Sequence, residues 1–123
     1  DEAYAYAKER VQGGVPIIQH QNIKLKLFHM FTMVEASRAA ARRMSLYNSV
    51  NQTNPTVAHA VACKILSTQT AFEVASEAIQ ILGGNGLSRE YTVEKMFRDA
   101  RAAMIEDGVN ETLAIGAMDY MEK

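Results

Sequence analysis

Apolar side chains recur at steps of three and four residues along most of the chain, which is the spacing of one face of an α-helix. The clearest stripe predicts a helix of about six turns that packs along another long helix. It consists of Val57, Val61, Ile65, Thr68, Phe72, Ala75 and Ile79. A second stripe predicts a helix over about residues 22–48, and it consists of Ile23, Leu27, Phe31 and Val34. A third predicts a helix over about residues 92–104, and it consists of Val93, Met96, Phe97, Ala100 and Met104.

Breaker residues set the ends of these helices and of two more. A first helix over about residues 1–12 is ended by Gly13, Gly14 and Pro16. In the polar connection at 51–55, Asn54 is a plausible N-cap with Pro55 at the first helical position. A glycine turn at 83–86 stops the long third helix, and a fifth helix runs from about Val109 to the end. No run alternates as a strand would, so the pattern predicts an up-and-down helical bundle with two long central helices.

Composition fits one folded domain. The 123 residues are 48% hydrophobic and 22% charged, with a net charge of −1, so no basic excess favours nucleic acid. No apolar run approaches the roughly 20 residues that a membrane span needs. One cysteine excludes an intramolecular disulfide and fits a reducing compartment. The opening residues resemble a helix already under way, without a cap or a Met, which suggests a domain of a longer protein.

Two segments are candidates for chemistry. The glycines of 83–86 follow a helix and lack the dinucleotide spacing, so they are either a helix C-cap or a place where a ligand approaches bare backbone. Glu106 and Asp107 are either an N-cap or a general base on a tight turn. Arg10 and Gln12 are polar surface unless a phosphate binds there.

The remaining reactive side chains favour ordinary structural roles. His20, His29 and His59 show no metal-ligand spacing with each other or with a carboxylate pair. Cys63 lies beside the apolar stripe of the third helix, which indicates a small buried side chain.

Residues 80–101 closely resemble the C-terminal signature of acyl-CoA dehydrogenases. This segment joins the glycine turn, the Glu90-Tyr91 pair and the Phe97-Arg98-Asp99-Ala100 run in the order and spacing of that family. Near the start, Glu9-Arg10, Pro16-Ile17-Ile18 and His20-Gln21 resemble the family's connection between the first two helices of this domain. The turn at 105–108 falls where the family carries its last active-site loop, so the resemblance spans essentially the whole chain.

This resemblance implies an all-α fold, an up-and-down four-helix bundle with an additional short helix. Residues 1–123 would be the C-terminal domain of a longer enzyme, whose N-terminal helical domain and middle β-domain are absent here. The family binds FAD between the β-domain and this bundle, with a contribution from a second subunit. The resemblance also implies a homodimer or homotetramer, an acyl-CoA substrate and electron-transfer flavoprotein as the electron acceptor. The implied location is the bacterial cytoplasm or the mitochondrial matrix. The fragment alone is expected to fold and self-associate without turnover.

Site residues carry over by position. Arg10 resembles the family's arginine on the flavin pyrophosphate, and Gln12 stands where the family has Thr or Ser in that contact. Gln21 resembles a glutamine near the adenosine end of FAD. Gln80, Gly83 and Gly84 match the turn that approaches FAD from the neighbouring subunit.

Asp107 matches the position of the family's catalytic base, where Glu is usual. That base removes the α-proton of the thioester while the β-hydrogen leaves as hydride to the flavin. Asp is one methylene shorter, which places its oxygens roughly 1 Å short, and Glu106 is a nearby alternative. Val109 for Thr or Ser, Gly13 for an aromatic residue and Thr92 for proline are further departures. They leave open a relative that keeps the bundle as a flavin-binding or oligomerisation scaffold, or an acyl-CoA oxidase.

Overall fold

Five α-helices form the chain in a computed structural model that describes residues 1–53 and 56–121. They are α1 (Glu2–Glu9), α2 (Gln21–Val50), α3 (Val57–Leu82), α4 (Val93–Ala103) and α5 (Asn110–Met121). Short 3-10 helices lie at Ile17–Gln19 and Gly83–Leu87. The predicted all-α fold class is therefore confirmed. None of the helices in the described part of the chain combines the length and the hydropathy that crossing a bilayer requires.

The helix α3 is the centre of the bundle, because it packs against each of the other four helices. Its 26 residues extend over about 39 Å at the usual helical rise. Six of its side chains are buried, and they lie on more than one face: Cys63, Thr70, Ala75, Ala78, Ile81 and Leu82. The predicted stripe is mostly half-buried along this helix, with Ala75 buried and Val57 exposed. The expectation that Cys63 is a small buried side chain is confirmed.

The helix α2 flanks α3 on one side instead of sharing the centre. Only Ser37 is buried on this helix, and Phe31 of the predicted stripe is 58% exposed. The expectation of two central helices is therefore wrong for the chain alone. A sequence stripe shows which side chains share a face, but how much of that face is covered depends on the other elements.

The first helix ends earlier than predicted, and a small β-hairpin follows it. α1 stops at Glu9, and Val11–Gln12 (β1) pairs antiparallel with Val15–Pro16 (β2). Between the strands, Gly13 and Gly14 have φ of +65° and +82°, the left-handed conformation that two-residue hairpin turns require. The predictions of a helix to residue 12 and of no strand are wrong for this reason.

The start of α3 lies next to a gap in the description. The predicted N-cap Asn54 and its neighbour Pro55 lie outside the described residues. The helix itself begins at Val57, and the backbone N–H of Thr56 donates to Asn48 Oδ1 over 3.1 Å. This bond ties the start of α3 to the end of α2.

Aromatic and polar contacts fix the start of α4 against α1. Glu2 Oε1 accepts a hydrogen bond from the Thr92 backbone N–H at 3.1 Å, at the start of α4. The rings of Tyr6 and Tyr91 meet edge to face at 5.7 Å between centroids. On α4 itself, Val93 and Ala100 are buried as the stripe predicts, whereas Met96 is 53% exposed.

Candidate functional site

A cavity of about 650 Å³ opens where the ends of α1 and α3 approach the start of α2. Its volume lies within the usual range for small-molecule and cofactor sites, about 300–1,000 Å³. Five of the six cofactor-binding candidates from the sequence line it: Arg10, Gln12, Gln80, Gly83 and Gly84. Residues that are at least 68 positions apart in the chain therefore meet at one cavity.

Three hydrogen bonds hold the walls of this cavity together. Asn85 Nδ2, just after the glycine pair, donates to the hydroxyl of Tyr6 on α1 over 3.0 Å. The Ile17 N–H donates to the Arg10 carbonyl at 2.8 Å, and His20 Nε2 lies 3.0 Å from the Gln12 carbonyl. These bonds position the segment that carries Arg10 beside the glycine turn.

The glycines of the turn have two different roles. A Cβ atom built on Gly83 or Gly84 would meet nothing within 4 Å, so their backbone borders open space. A Cβ on Gly86, in contrast, would lie 2.8 Å from the Ile79 carbonyl oxygen. Gly86 is therefore required for the packing of the turn on α3, whereas Gly83 and Gly84 leave backbone accessible to a ligand. The C-cap interpretation is confirmed at Gly83, which ends α3 with a φ of +62°.

The chemistry of the cavity suits an anion that also forms hydrogen bonds. Arg10 contributes a guanidinium, and no carboxylate is found among the described residues that line the wall. Gln12, Asn22, Gln80 and Asn85 add side-chain amides that donate and accept. The first turn of α2 begins at Gln21 beside this cavity, and its unpaired N–H groups add positive potential.

Gln21 is the one cofactor candidate that does not line the cavity. It is exposed at the first position of α2, between His20 and Asn22, which do line the wall.

The catalytic candidates lie in a second place, the turn between α4 and α5. Glu106 and Asp107 are both exposed, and neither carboxylate forms a hydrogen bond with another described residue. Because α5 begins at Asn110, neither residue caps that helix, and the N-cap interpretation is wrong. Asp107 has a φ of +53° and Gly108 a φ of +102°, so two successive residues adopt left-handed backbone. Such conformations are uncommon in non-glycine residues, although aspartate and asparagine adopt them more readily than most.

This turn is tied to the first half of α3, whereas the cavity lies at the end of the same helix. Lys64 Nζ donates to the Gly108 carbonyl at 3.0 Å and to Asn110 Oδ1 at 2.7 Å. From Lys64 to Gln80 is 16 residues, which corresponds to about 24 Å along the helix axis. The candidate base and the candidate cofactor cavity of one chain are therefore separate.

Sequence reasoning missed several residues at both places. Tyr6, Asn22 and Asn85 line the cavity, while Lys64 and Asn110 support the turn. Each of them resembles ordinary helix or turn composition in the sequence, and only tertiary contacts reveal what they touch. His20 also lines the cavity. Within residues 1–53 and 56–121, no three His, Cys, Asp or Glu side chains are grouped so that they could hold a metal ion.

Comparison with known proteins identifies the family. The family model for the acyl-CoA dehydrogenase C-terminal domain matches residues 1–118. An acyl-CoA dehydrogenase of Bacillus subtilis is 37% identical over 124 residues, covering 98% of this chain and 31% of that protein. The chain therefore belongs to the acyl-CoA dehydrogenase family, as the C-terminal signature predicted.

Solved structures agree with this assignment. The butyryl-CoA dehydrogenase of Megasphaera elsdenii superposes with a TM-score of 0.90 at 32% identity, over 99% of this chain and 31% of that one. A chain in the structure of the electron transferring flavoprotein of Acidaminococcus fermentans gives 0.89 at 29% identity, over 98% and 31%. The chain thus spans about three tenths of the length of the relatives that it matches.

Proposed function

We propose that this chain is the C-terminal domain of an FAD-dependent acyl-CoA dehydrogenase, which catalyses α,β-dehydrogenation of an acyl-CoA thioester. The observation that carries the proposal is the exposed carboxylate of Asp107, held in left-handed backbone on the turn between α4 and α5. This turn resembles the family's last active-site loop, and we propose that Asp107 takes the place of the family's catalytic base. Residues 1–123 form the C-terminal helical domain, and an N-terminal helical domain and a middle β-domain complete the enzyme.

The cavity at the end of α3 is the proposed contact with FAD. Its residues fit the pyrophosphate and adenosine part of the cofactor, because Arg10 offers a guanidinium and the wall has no described carboxylate. Gly83 and Gly84 leave room for close approach, and Gln12 and Gln80 offer amides. Gln21 lies beside this wall and is proposed to reach the adenosine end.

The separation of the two places supports a shared flavin site. The turn of Asp107 is tied to Lys64, which lies about 24 Å along α3 from Gln80 at the cavity, and we therefore propose that the cavity serves the FAD of a neighbouring subunit. The chain then works as a homodimer or homotetramer. Apolar side chains exposed on α2 and α5 suit such association, and they include Leu25, Phe28, Ile115 and Met118. Sedimentation velocity tests this association.

In the proposed reaction Asp107 removes the α-proton of the thioester. Its carboxylate is suited to this step because it is exposed and forms no hydrogen bond with another described residue, so both oxygens are available. The bound flavin supplies the hydride acceptor for the β-hydrogen. Aspartate is one methylene shorter than the usual glutamate, so the substrate must lie roughly 1 Å closer to the turn. Glu106 is the weaker alternative base.

Two alternatives remain, a scaffold without dehydrogenase activity and an acyl-CoA oxidase. The scaffold is favoured by Asp107 in place of glutamate and by Val109, which has no hydroxyl to offer a flavin. The oxidase would differ in whether oxygen reaches the reduced cofactor. We propose electron-transfer flavoprotein as the acceptor of the dehydrogenase, in the bacterial cytoplasm or the mitochondrial matrix, a reducing compartment.

One experiment separates these functions. The full-length protein is purified, its bound flavin is measured by absorbance, and a panel of acyl-CoA thioesters is added anaerobically. Bleaching of the oxidised flavin with one class of thioester supports dehydrogenation and identifies the substrate class. Bound flavin that no thioester bleaches would favour the scaffold. Rapid reoxidation of the bleached flavin by oxygen, with no need for another acceptor, would favour the oxidase.

Replacing Arg10 by Met in the full-length protein is expected to weaken FAD binding by roughly 10- to 100-fold. Hydrogen bonds to a charged group contribute about 1.5–3 kcal/mol, and Met keeps most of the apolar length of the side chain. The measurement is a titration of the flavin-free protein with FAD, followed by the change in flavin fluorescence. Arg98→Met is the control, because Arg98 is exposed on α4, paired with Glu94 and outside the cavity. Equal affinities for the two variants would contradict the assignment of this cavity to FAD.

A further inference from the structure

We propose that Lys64 is a positioning residue for the catalytic turn, which it holds through two hydrogen bonds so that Asp107 faces the substrate. This inference rests on the proposed function, in which Asp107 is the base. Lys64 lies on α3, 43 residues before Asp107 in the chain, and only the fold brings the two segments together.

The contacts of Lys64 form a short connected network. Its Nζ donates to the Gly108 carbonyl at 3.0 Å and to Asn110 Oδ1 at 2.7 Å. Asn110 is 3% exposed, and its Nδ2 donates to Thr68 Oγ1 at 3.0 Å, one helical turn beyond Lys64 on α3. Thr68 in turn donates to the Ile65 carbonyl over 3.2 Å. Both the Oδ1 and the Nδ2 atom of Asn110 thus connect the turn with α3.

The turn depends on contacts with the rest of the fold for its orientation, because residues 106–108 are all exposed. Asp107 and Gly108 both adopt left-handed backbone, which aspartate and glycine tolerate in turns. The Asp107 side chain forms no hydrogen bond with another described residue that could hold it. The two acceptors of Lys64 lie one and three residues after Asp107, so the lysine acts on the backbone that orients this carboxylate.

The substitutions that test this role are Lys64→Met and Lys64→Arg in the full-length flavin-loaded enzyme. Methionine keeps a stem of similar length without a donor, whereas arginine keeps a cation that donates. Lys95→Met is the matched control, because Lys95 is exposed on α4 and paired with Asp99 one turn away. All variants are compared for flavin content, thermal midpoint, kcat and KM.

Lys64→Met is expected to lower kcat by roughly 10- to 100-fold, since a displacement of about 1 Å in a catalytic group has effects of that size. Flavin content should not change, because the proposed FAD cavity lies at the other end of α3. KM for the acyl-CoA should change by less than about twofold, because Lys64 donates to Gly108 and Asn110 and is not proposed to contact the substrate. Lys64→Arg should recover most of kcat, and Lys95→Met should match the unaltered enzyme. A residue with only a structural role would lower the thermal midpoint without this selective loss of kcat.

Amide exchange provides a readout that does not depend on turnover. Deuterium uptake in residues 105–109 should become faster in Lys64→Met and remain unchanged in Lys95→Met. If none of the thioesters bleaches the flavin of the unaltered enzyme, the proposed function fails. Faster exchange confined to this turn in Lys64→Met would still support the positioning role. Unchanged exchange together with unchanged kcat in Lys64→Met would overturn the positioning role and leave the dehydrogenase proposal in place. A kcat loss that Lys64→Arg does not restore would also overturn it.

Discussion

Replacing Asp107 by Asn in the full-length enzyme is expected to slow reduction of the flavin by acyl-CoA about a thousandfold. A positioned general base contributes typically 10²- to 10⁴-fold to a rate, and an amide cannot accept the α-proton as a carboxylate does. Asparagine has nearly the same shape as aspartate and tolerates left-handed backbone, so the φ of +53° at this position should be kept. The substitution therefore removes the base and leaves the turn in place.

Anaerobic stopped-flow absorbance of the flavin measures this rate directly. Flavin content should equal that of the unaltered enzyme, because Asp107 does not line the proposed FAD cavity. Glu106→Gln is the control, since it removes the neighbouring exposed carboxylate and should leave the rate within about threefold. If the rate of flavin reduction were unchanged in Asp107→Asn and lost in Glu106→Gln, Glu106 would be the base. Undiminished rates in both would place the base on another domain.

The helices α2, α3 and α4 could be predicted from the sequence because each carries apolar positions at a regular helical spacing, whereas α1 and α5 were indicated by the turns that bound them. The stripe on α3 is the clearest case, because its seven positions over six turns fit the helical period and not the two-residue alternation of a strand. The hairpin at 11–16 could not be predicted in this way, because two-residue strands are too short to show alternation. Its only signal was the Gly13-Gly14 pair, which equally well ends a helix.

The extent of burial was less predictable than the helices themselves. Phe31 falls on the α2 stripe with Ile23 and Leu27, yet it is exposed. Periodicity assigns a residue to a face but not to a depth, because depth depends on how far the neighbouring helices reach. The described chain leaves that part of α2 uncovered, which accords with the proposal that a second subunit packs there.

The residues of the candidate sites were predicted mainly from the family resemblance, and less from their own physical chemistry. Arg10 and Gly83 are 73 positions apart, and no local pattern indicates that they line one cavity. The left-handed backbone of Asp107 was equally hidden, since the residue before a glycine in a turn is often ordinary. Lys64 resembles any solvated helical lysine until Gly108 and Asn110 are placed beside it. The cavity lining, the Asp107 backbone and the contacts of Lys64 all depend on residues that are far apart in the chain. A single sequence does not show which of them meet.

The turn at 83–86 allows a test that separates folding from cofactor binding. Gly86→Ala is expected to lower the free energy of unfolding of this chain by about 3 kcal/mol, the upper range for overpacking. Its Cβ would lie 2.8 Å from the Ile79 carbonyl oxygen and 2.9 Å from Ile79 Cα, both of which are backbone atoms that cannot rotate away. Since small domains are stable by only about 5–15 kcal/mol, this loss is large.

Gly84→Ala is the matched control, because a Cβ there meets nothing within 4 Å. It should change the free energy of unfolding by less than about 1 kcal/mol and yet weaken FAD binding in the full-length protein, because Gly84 lines the cavity. Urea denaturation at one fixed protein concentration measures the first quantity, which matters if the chain associates. Fluorescence titration measures the second. Equal stability losses in both variants would mean that the whole turn serves packing, and the assignment of Gly83 and Gly84 to the cofactor would then lose its physical basis.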